Sequence, residues 1–141
     1  MRVYLDASVV VPTLVQQPGS DAVDNLIEQL SEPPLLSSFV IGETASALAR
    51  LARMERLTAS DVRDRLASFD RWVVLDAEVI ETEPADVRLA GLFVRRLELG
   101  LRMPGAIHIA TAQRIGAALA TLDVRLAGAA SALNVAIKVP G

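Results

Sequence analysis

The 141-residue chain is 52% hydrophobic but only 4% aromatic, carries a net charge of −3 and contains no cysteine. That composition predicts an aliphatic core, excludes a disulfide framework or a thiolate metal site, and argues against a general nucleic-acid coat. No uncharged apolar run reaches the roughly 18 residues a membrane span needs, and Asp6 interrupts the N-terminal apolar stretch where a secretory signal would have to be uncharged, so a cytoplasmic protein with no membrane segment is expected.

The elements follow in order. RVYLD (2–6) reads as a buried strand passing at Asp6 into the helix ASVVVPTLV (7–15). SDAVDNLIEQL (20–30) is a helix with Ser20 as its N-cap and Val23, Leu26, Ile27 and Leu30 at helical spacing. EPPLLSS (32–38) gives a turn and a short strand, and FVIGETASALARLARMERL (39–57) a strong helix. TASDVRDRLASFDRW (58–72) opens on a Thr58 cap with Asp61 three residues on, followed by a short strand VVLD (73–76). EPADVRLAGLFVRRLELG (83–100) is a helix closed by Gly100, and a further helix starts at Pro104. GAALATLD (116–123) is a strand ending at Asp123, VRLAGAASAL (124–133) a short helix and VAIKV (135–139) a last strand. Strands alternating with helices predict a single α/β domain over 1–141, a three-layer α/β/α sandwich around a central, mostly parallel sheet.

Two acids occupy equivalent places in this pattern. Asp6 follows the first strand and Asp123 a later one, and in open parallel sheets ligand sites form beyond the carboxyl ends of the strands. Each could equally be a plain helix N-cap, a role aspartate fills well. Glu43 lies early in a helix on a strip of small residues, placed to approach a cleft or simply to sit exposed where a helix start favours negative charge. Gly105 is the anomaly: it falls in the first turn of a well-made buried helix, GAIHIATA, at a cost of about 1 kcal/mol against alanine in a helix interior. His108, the only histidine, is three residues further along and reads as a satisfied structural residue, although a base or metal ligand is conceivable there. Tyr4 and Trp72 read as core.

YLDAS, IGETASAL, MPGAIHIATA and TLDVRL resemble, in order and spacing, the four motif regions of the PIN-domain ribonucleases, with the closest resemblance to VapC-type toxins of toxin–antitoxin pairs. The resemblance runs over essentially the whole chain. It implies an acidic cluster that binds Mg2+ or Mn2+, with Asp6 as the first acid, Glu43 the second and Asp123 the fourth. Ser8 and Thr121 fall where the family often has hydroxyls beside the site. The third acid is the departure: the family usually has aspartate where this chain has Gly105, so a metal ligand is expected to be missing and activity impaired. The implied partners are an RNA substrate and a cognate VapB-like antitoxin lying over the groove, within a homodimer or a hetero-oligomer with that antitoxin.

All of the 14 basic residues except Lys138 are arginines, suited to bidentate contacts with carboxylate or phosphate, although high genomic GC content accounts for the same bias. Two rival classes compete with this reading. A binding module would capture an antitoxin or RNA without cutting it, and Gly105 favours it. An aspartyl-phosphate enzyme built on Asp6 would need a second aspartate where Ser8 stands.

Overall fold

The structure, a computed structural model, describes all residues 1–141. Five strands, β1 (Val3–Leu5), β2 (Leu35–Ser37), β3 (Glu78–Ile80), β4 (Ala118–Ala120) and β5 (Ile137–Lys138), alternate with helices α1 (Ala7–Leu14), α2 (Ser20–Glu28), α3 (Ser38–Arg53), α4 (Ala59–Asp76), α5 (Pro84–Val94), α6 (Met103–Ile115) and α7 (Val124–Ala132). The strands lie in the order β3-β2-β1-β4-β5, and every neighbouring pair is parallel.

This order fixes both the layers and the position of the site. From β1 the chain steps outward to β2 and β3, then returns past β1 to build β4 and β5. Parallel crossovers are right-handed, so steps taken in opposite directions lay their helices on opposite faces. The packing agrees: α1 contacts α2, α3 and α4, whereas α5 packs on α6. The direction reverses between β1 and β4, and their carboxyl ends open the crevice where such sheets place ligands. Both strands are fully buried. The core is aliphatic, with Tyr4, Phe69 and Phe93 as its aromatic members. Trp72 is only partly buried and stacks on Phe69 at 6.3 Å between ring centroids.

Several boundaries differ from expectation. VVLD is not a strand: α4 runs on through Asp76, and the strand forms afterwards at Glu78–Ile80. Val73 continues the helical spacing from Phe69 while Val74 and Leu75 point outward at 80% and 76% exposure, so the apolar run is a helix end and not a buried strand. Ser20 is not the cap of α2; Gly19, at φ 96°, precedes the helix. The Ser20 hydroxyl donates to the Pro12 carbonyl and accepts from the Gln17 N–H. The helix of 83–100 stops at Val94, and a 3-10 turn (Leu97–Leu99) closes on Gly100 at φ 61°. Thr58 and Asp61 form the expected reciprocal cap of α4.

Candidate functional site at the β1/β4 rim

Asp6 leaves β1 with its N–H donating to the Ala120 carbonyl of β4 at 3.2 Å, which fixes it over the switch point. Its carboxylate accepts the Val9 N–H of α1 at 3.3 Å and so does cap that helix. Capping does not account for its other partners. Ser8 Oγ donates to one carboxylate oxygen and Thr121 Oγ1 to the other, each at 2.6 Å. Asp6 is only 4% exposed. Burial pushes its carboxyl above the ordinary aspartate value, and the two hydroxyl hydrogen bonds pull it back only in part.

The same hydroxyls reach Asp123. Thr121 Oγ1 accepts the Asp123 N–H at 3.0 Å, and Ser8 Oγ accepts the Leu122 N–H at 2.9 Å. Asp123 caps α7, its Oδ1 accepting the N–H groups of Arg125 and Leu126. Asp6, Ser8, Thr121 and Asp123 therefore form one hydrogen-bonded unit across the carboxyl ends of β1 and β4.

Glu43 belongs to a different set of contacts. Its Oε1 pairs with His108 Nε2 at 2.6 Å, and its side chain is 26% exposed. His108 is satisfied, as expected of a lone histidine in an apolar helix, but one of its two partners is a predicted site acid. Sequence reasoning missed this contact. The available signal was the placement of His108 one helical turn after Gly105. The Tyr4 hydroxyl bonds the other ring nitrogen; burial, and after it the charges of Glu43 and Asp6, hold it above its ordinary ionisation range.

Gly105 borders a hollow of about 340 Å³ shared with Asp123, Arg102, Arg125 and Leu126. A Cβ at position 105 would stand 3.0 Å from a Leu126 δ-carbon. The space beside the glycine is thus occupied by a leucine methyl group, the far end of a flexible side chain.

The donors suit a hard divalent cation in kind. They are carboxylate and hydroxyl oxygens, and such ions, above all Mg2+, are held by one or two carboxylates while keeping several waters. Glu43 Oε2 and the second carboxylate oxygen of Asp123 have no hydrogen-bond partner in the protein. No three Asp, Glu, His or Cys side chains come together as one ready-made group; the structure links Asp6 to Asp123 through Ser8 and Thr121, and Glu43, engaged with His108, does not join them in the expected three-acid cluster.

Comparison with known proteins agrees with this fold. The PIN domain matches residues 3–131. Ribonuclease VapC46 of Mycobacterium tuberculosis (strain H37Rv) is 33% identical over 141 residues, covering 98% of this chain and 97% of its own. Ribonuclease VapC35 of M. tuberculosis (strain CDC 1551) is 33% identical over 144 residues, covering 99% and 97%. Among solved structures, the FitAB complex bound to a DNA fragment superposes with a TM-score of 0.76 at 18% identity, over 98% of this chain and 94% of that one. VapBC2 from Rickettsia felis, bound to a fragment of its promoter, gives 0.74 at 16% identity over 99% and 98%; at such identities these likenesses speak for the fold. A parallel sheet with acids at its β1/β4 rim, a domain match along nearly the whole chain and full-length relatives at one-third identity converge: the chain belongs to the PIN-domain family, among the VapC ribonucleases of toxin–antitoxin systems.

Proposed function

We propose that this protein is a VapC-type endoribonuclease that hydrolyses RNA phosphodiester bonds at the β1/β4 rim, with Asp6, Glu43 and Asp123 holding Mg2+ or Mn2+ and activity attenuated by Gly105. The observation that carries the reading is Asp6: a carboxylate buried to 4% exposure with hydroxyls on both oxygens and no cation of the protein paired to it. Capping α1 accounts for one of its contacts, but keeping a carboxylate buried with no cation beside it costs stability, which points to function.

The residues divide the work. Ser8 and Thr121 orient the Asp6 carboxylate and support its charged form against burial, and Thr121 fixes the backbone from which Asp123 projects. The α7 amides hold one oxygen of Asp123 and leave the other free. Arg102 and Arg125 border the hollow beside Asp123 and supply positive charge for an RNA backbone. When bound, the divalent ion would offset phosphate charge and lower the pKa of an attacking water. Without a carboxylate at 105 the ion is held more weakly and less accurately, and a misplacement near 1 Å costs about 10²-fold in rate. The VapC relatives and the VapBC complexes support a VapB-like antitoxin as partner; homodimeric or mixed oligomers and a cytoplasmic setting belong to the proposal.

RNA cleavage by the purified chain in Mg2+ or Mn2+ tests this. The unaltered chain should cut slowly, Asp6→Asn not at all, and Gly105→Asp about 10²-fold faster than the unaltered chain. Gly105→Ala is the control. It adds the same Cβ against Leu126 without a carboxylate and should leave cleavage unchanged. The filled space beside Gly105 also favours a second reading, a binding module that captures antitoxin or RNA uncut. Absence of cleavage in both the unaltered chain and Gly105→Asp would establish that reading and end the first.

A further inference from the structure

We propose that His108 is a positioning residue for Glu43, set by a one-directional hydrogen-bond chain that begins in the first turn of α3 and passes through Ser37 and Tyr4. It rests on the reading of Glu43 as a site acid given above, although the order of the chain can be tested without it.

The contacts are continuous. The Val40 N–H donates to Ser37 Oγ at 3.0 Å. Ser37 Oγ lies 2.7 Å from the Tyr4 hydroxyl, which lies 2.7 Å from His108 Nδ1. His108 Nε2 lies 2.6 Å from Glu43 Oε1. Donor accounting fixes the direction. Ser37 Oγ already accepts from Val40, so its buried hydroxyl donates to the Tyr4 oxygen. The Tyr4 O–H then has His108 Nδ1 as its acceptor, so Nδ1 is bare, and the ring proton sits on Nε2 and is donated to Glu43 Oε1.

The opposite direction fails. If Tyr4 donated to Ser37, the Ser37 hydroxyl hydrogen would have no acceptor in a residue that is 0% exposed, a buried unsatisfied donor that costs about 1–3 kcal/mol. Burial also keeps Tyr4 in its hydroxyl form, able to donate. Flanking rings at 5.7 Å (Tyr4) and 5.5 Å (Phe39) leave the imidazole little room to turn.

The chain thus runs from the fully buried Tyr4 and Ser37 to a glutamate whose side chain is 26% exposed. It commits Oε1 of Glu43 and leaves Oε2 as the oxygen available to a cation. Groups that hydrogen-bond a metal ligand in this way set its orientation, and their removal weakens metal binding about 10- to 100-fold.

The chain has one histidine, so a nitrogen-15 imidazole spectrum of the metal-free protein at mildly alkaline pH reads this ring alone. The expected result is a proton on Nε2 and a bare Nδ1. A proton on Nδ1, or an even mixture, overturns the assignment. Mn2+ affinity, followed by the electron paramagnetic resonance of the free ion, supplies the second readout. His108→Phe should bind about 10-fold more weakly, and His108→Gln, which offers an amide N–H near the Nε2 position, should recover most of that loss. A Phe variant as tight as the unaltered chain, or a folded Gln variant as weak as the Phe variant, overturns it. If the unaltered chain takes up no Mn2+, the comparison is made on Gly105→Asp, and no uptake there overturns the assignment as well. An Nε2 proton and His108-dependent Mn2+ binding without RNA cleavage would support the chain and count against the ribonuclease reading.

Discussion

At the scale of single residues, two buried aspartates behave in opposite ways. Asp6 is 4% exposed and Asp86 2%. Burial alone would raise Asp86, but the Arg114 guanidinium grips both of its oxygens at 2.9 Å and the Glu83 N–H adds a third bond, so its carboxyl is held below the ordinary range. Asp6 has only hydroxyls and a backbone amide, and burial wins. The signs of the linked stability effects therefore differ. Asp86 contributes stability above its unfolded value, and this is lost as pH falls through its folded value. For Asp6 the folded form keeps its proton after the unfolded form has released it, so stability falls as pH rises between the two values, and the penalty persists above them. Asp6→Asn should consequently be more stable than the unaltered chain at neutral pH in chelator, with the gain vanishing below the unfolded aspartate value of about 3.9. Urea unfolding across that pH range checks it; a variant less stable at neutral pH would contradict the account. Asp6 was legible in the sequence because it ends an apolar strand. Asp86 was not, because its partner Arg114 lies 28 residues away on another helix.

At the scale of elements, that same pair joins α5 to α6. Arg114 spans from Asp86 to the Glu81 carbonyl and also stands 3.3 Å from Glu83, so the helix that carries Gly105 and His108 is fastened at its far end. Arg114→Met keeps the aliphatic stem but leaves Asp86 buried and unpaired, a class of change that destabilises by 3–5 kcal/mol. A loss near the lower bound, about 3 kcal/mol, is expected because Arg114 is itself 29% exposed. The loss should shrink in acid as Asp86 takes up a proton, and chemical denaturation at two pH values measures both effects. The elements themselves were largely readable, since caps such as Thr58 with Asp61 act within one turn. The failures were at places that local pattern does not decide. Val73, Val74 and Leu75 have strand-like side chains, yet they finish a helix because one of them packs inward at helical spacing and the other two face solvent.

At the scale of the whole molecule, alternation of strands and helices announced a parallel sheet, but the order β3-β2-β1-β4-β5 depends on which edges pair, and nothing local encodes that. The order is what brings Asp6 and Asp123 onto neighbouring strand ends, 117 positions apart in the numbering, so their meeting is a property of the fold and not of either motif. A cation bound at that rim binds only the folded chain, and its effect on stability follows RT ln(1 + [L]/Kd). At an Mn2+ concentration 100 times the Kd the gain is about 2.7 kcal/mol, whereas a chain whose Kd is 100-fold weaker gains only about 0.4 kcal/mol at the same concentration. Each kcal/mol corresponds to about 3 °C in Tm for a domain near this size. Gly105→Asp should therefore show a Tm increment with Mn2+ about 7 °C larger than that of the unaltered chain. Asp6→Asn in the Gly105→Asp background should abolish the increment. Equal increments in the unaltered and Gly105→Asp chains would mean that position 105 faces no cation. The attenuation assigned to its glycine would then fall, because a residue that faces no cation cannot weaken the hold on one.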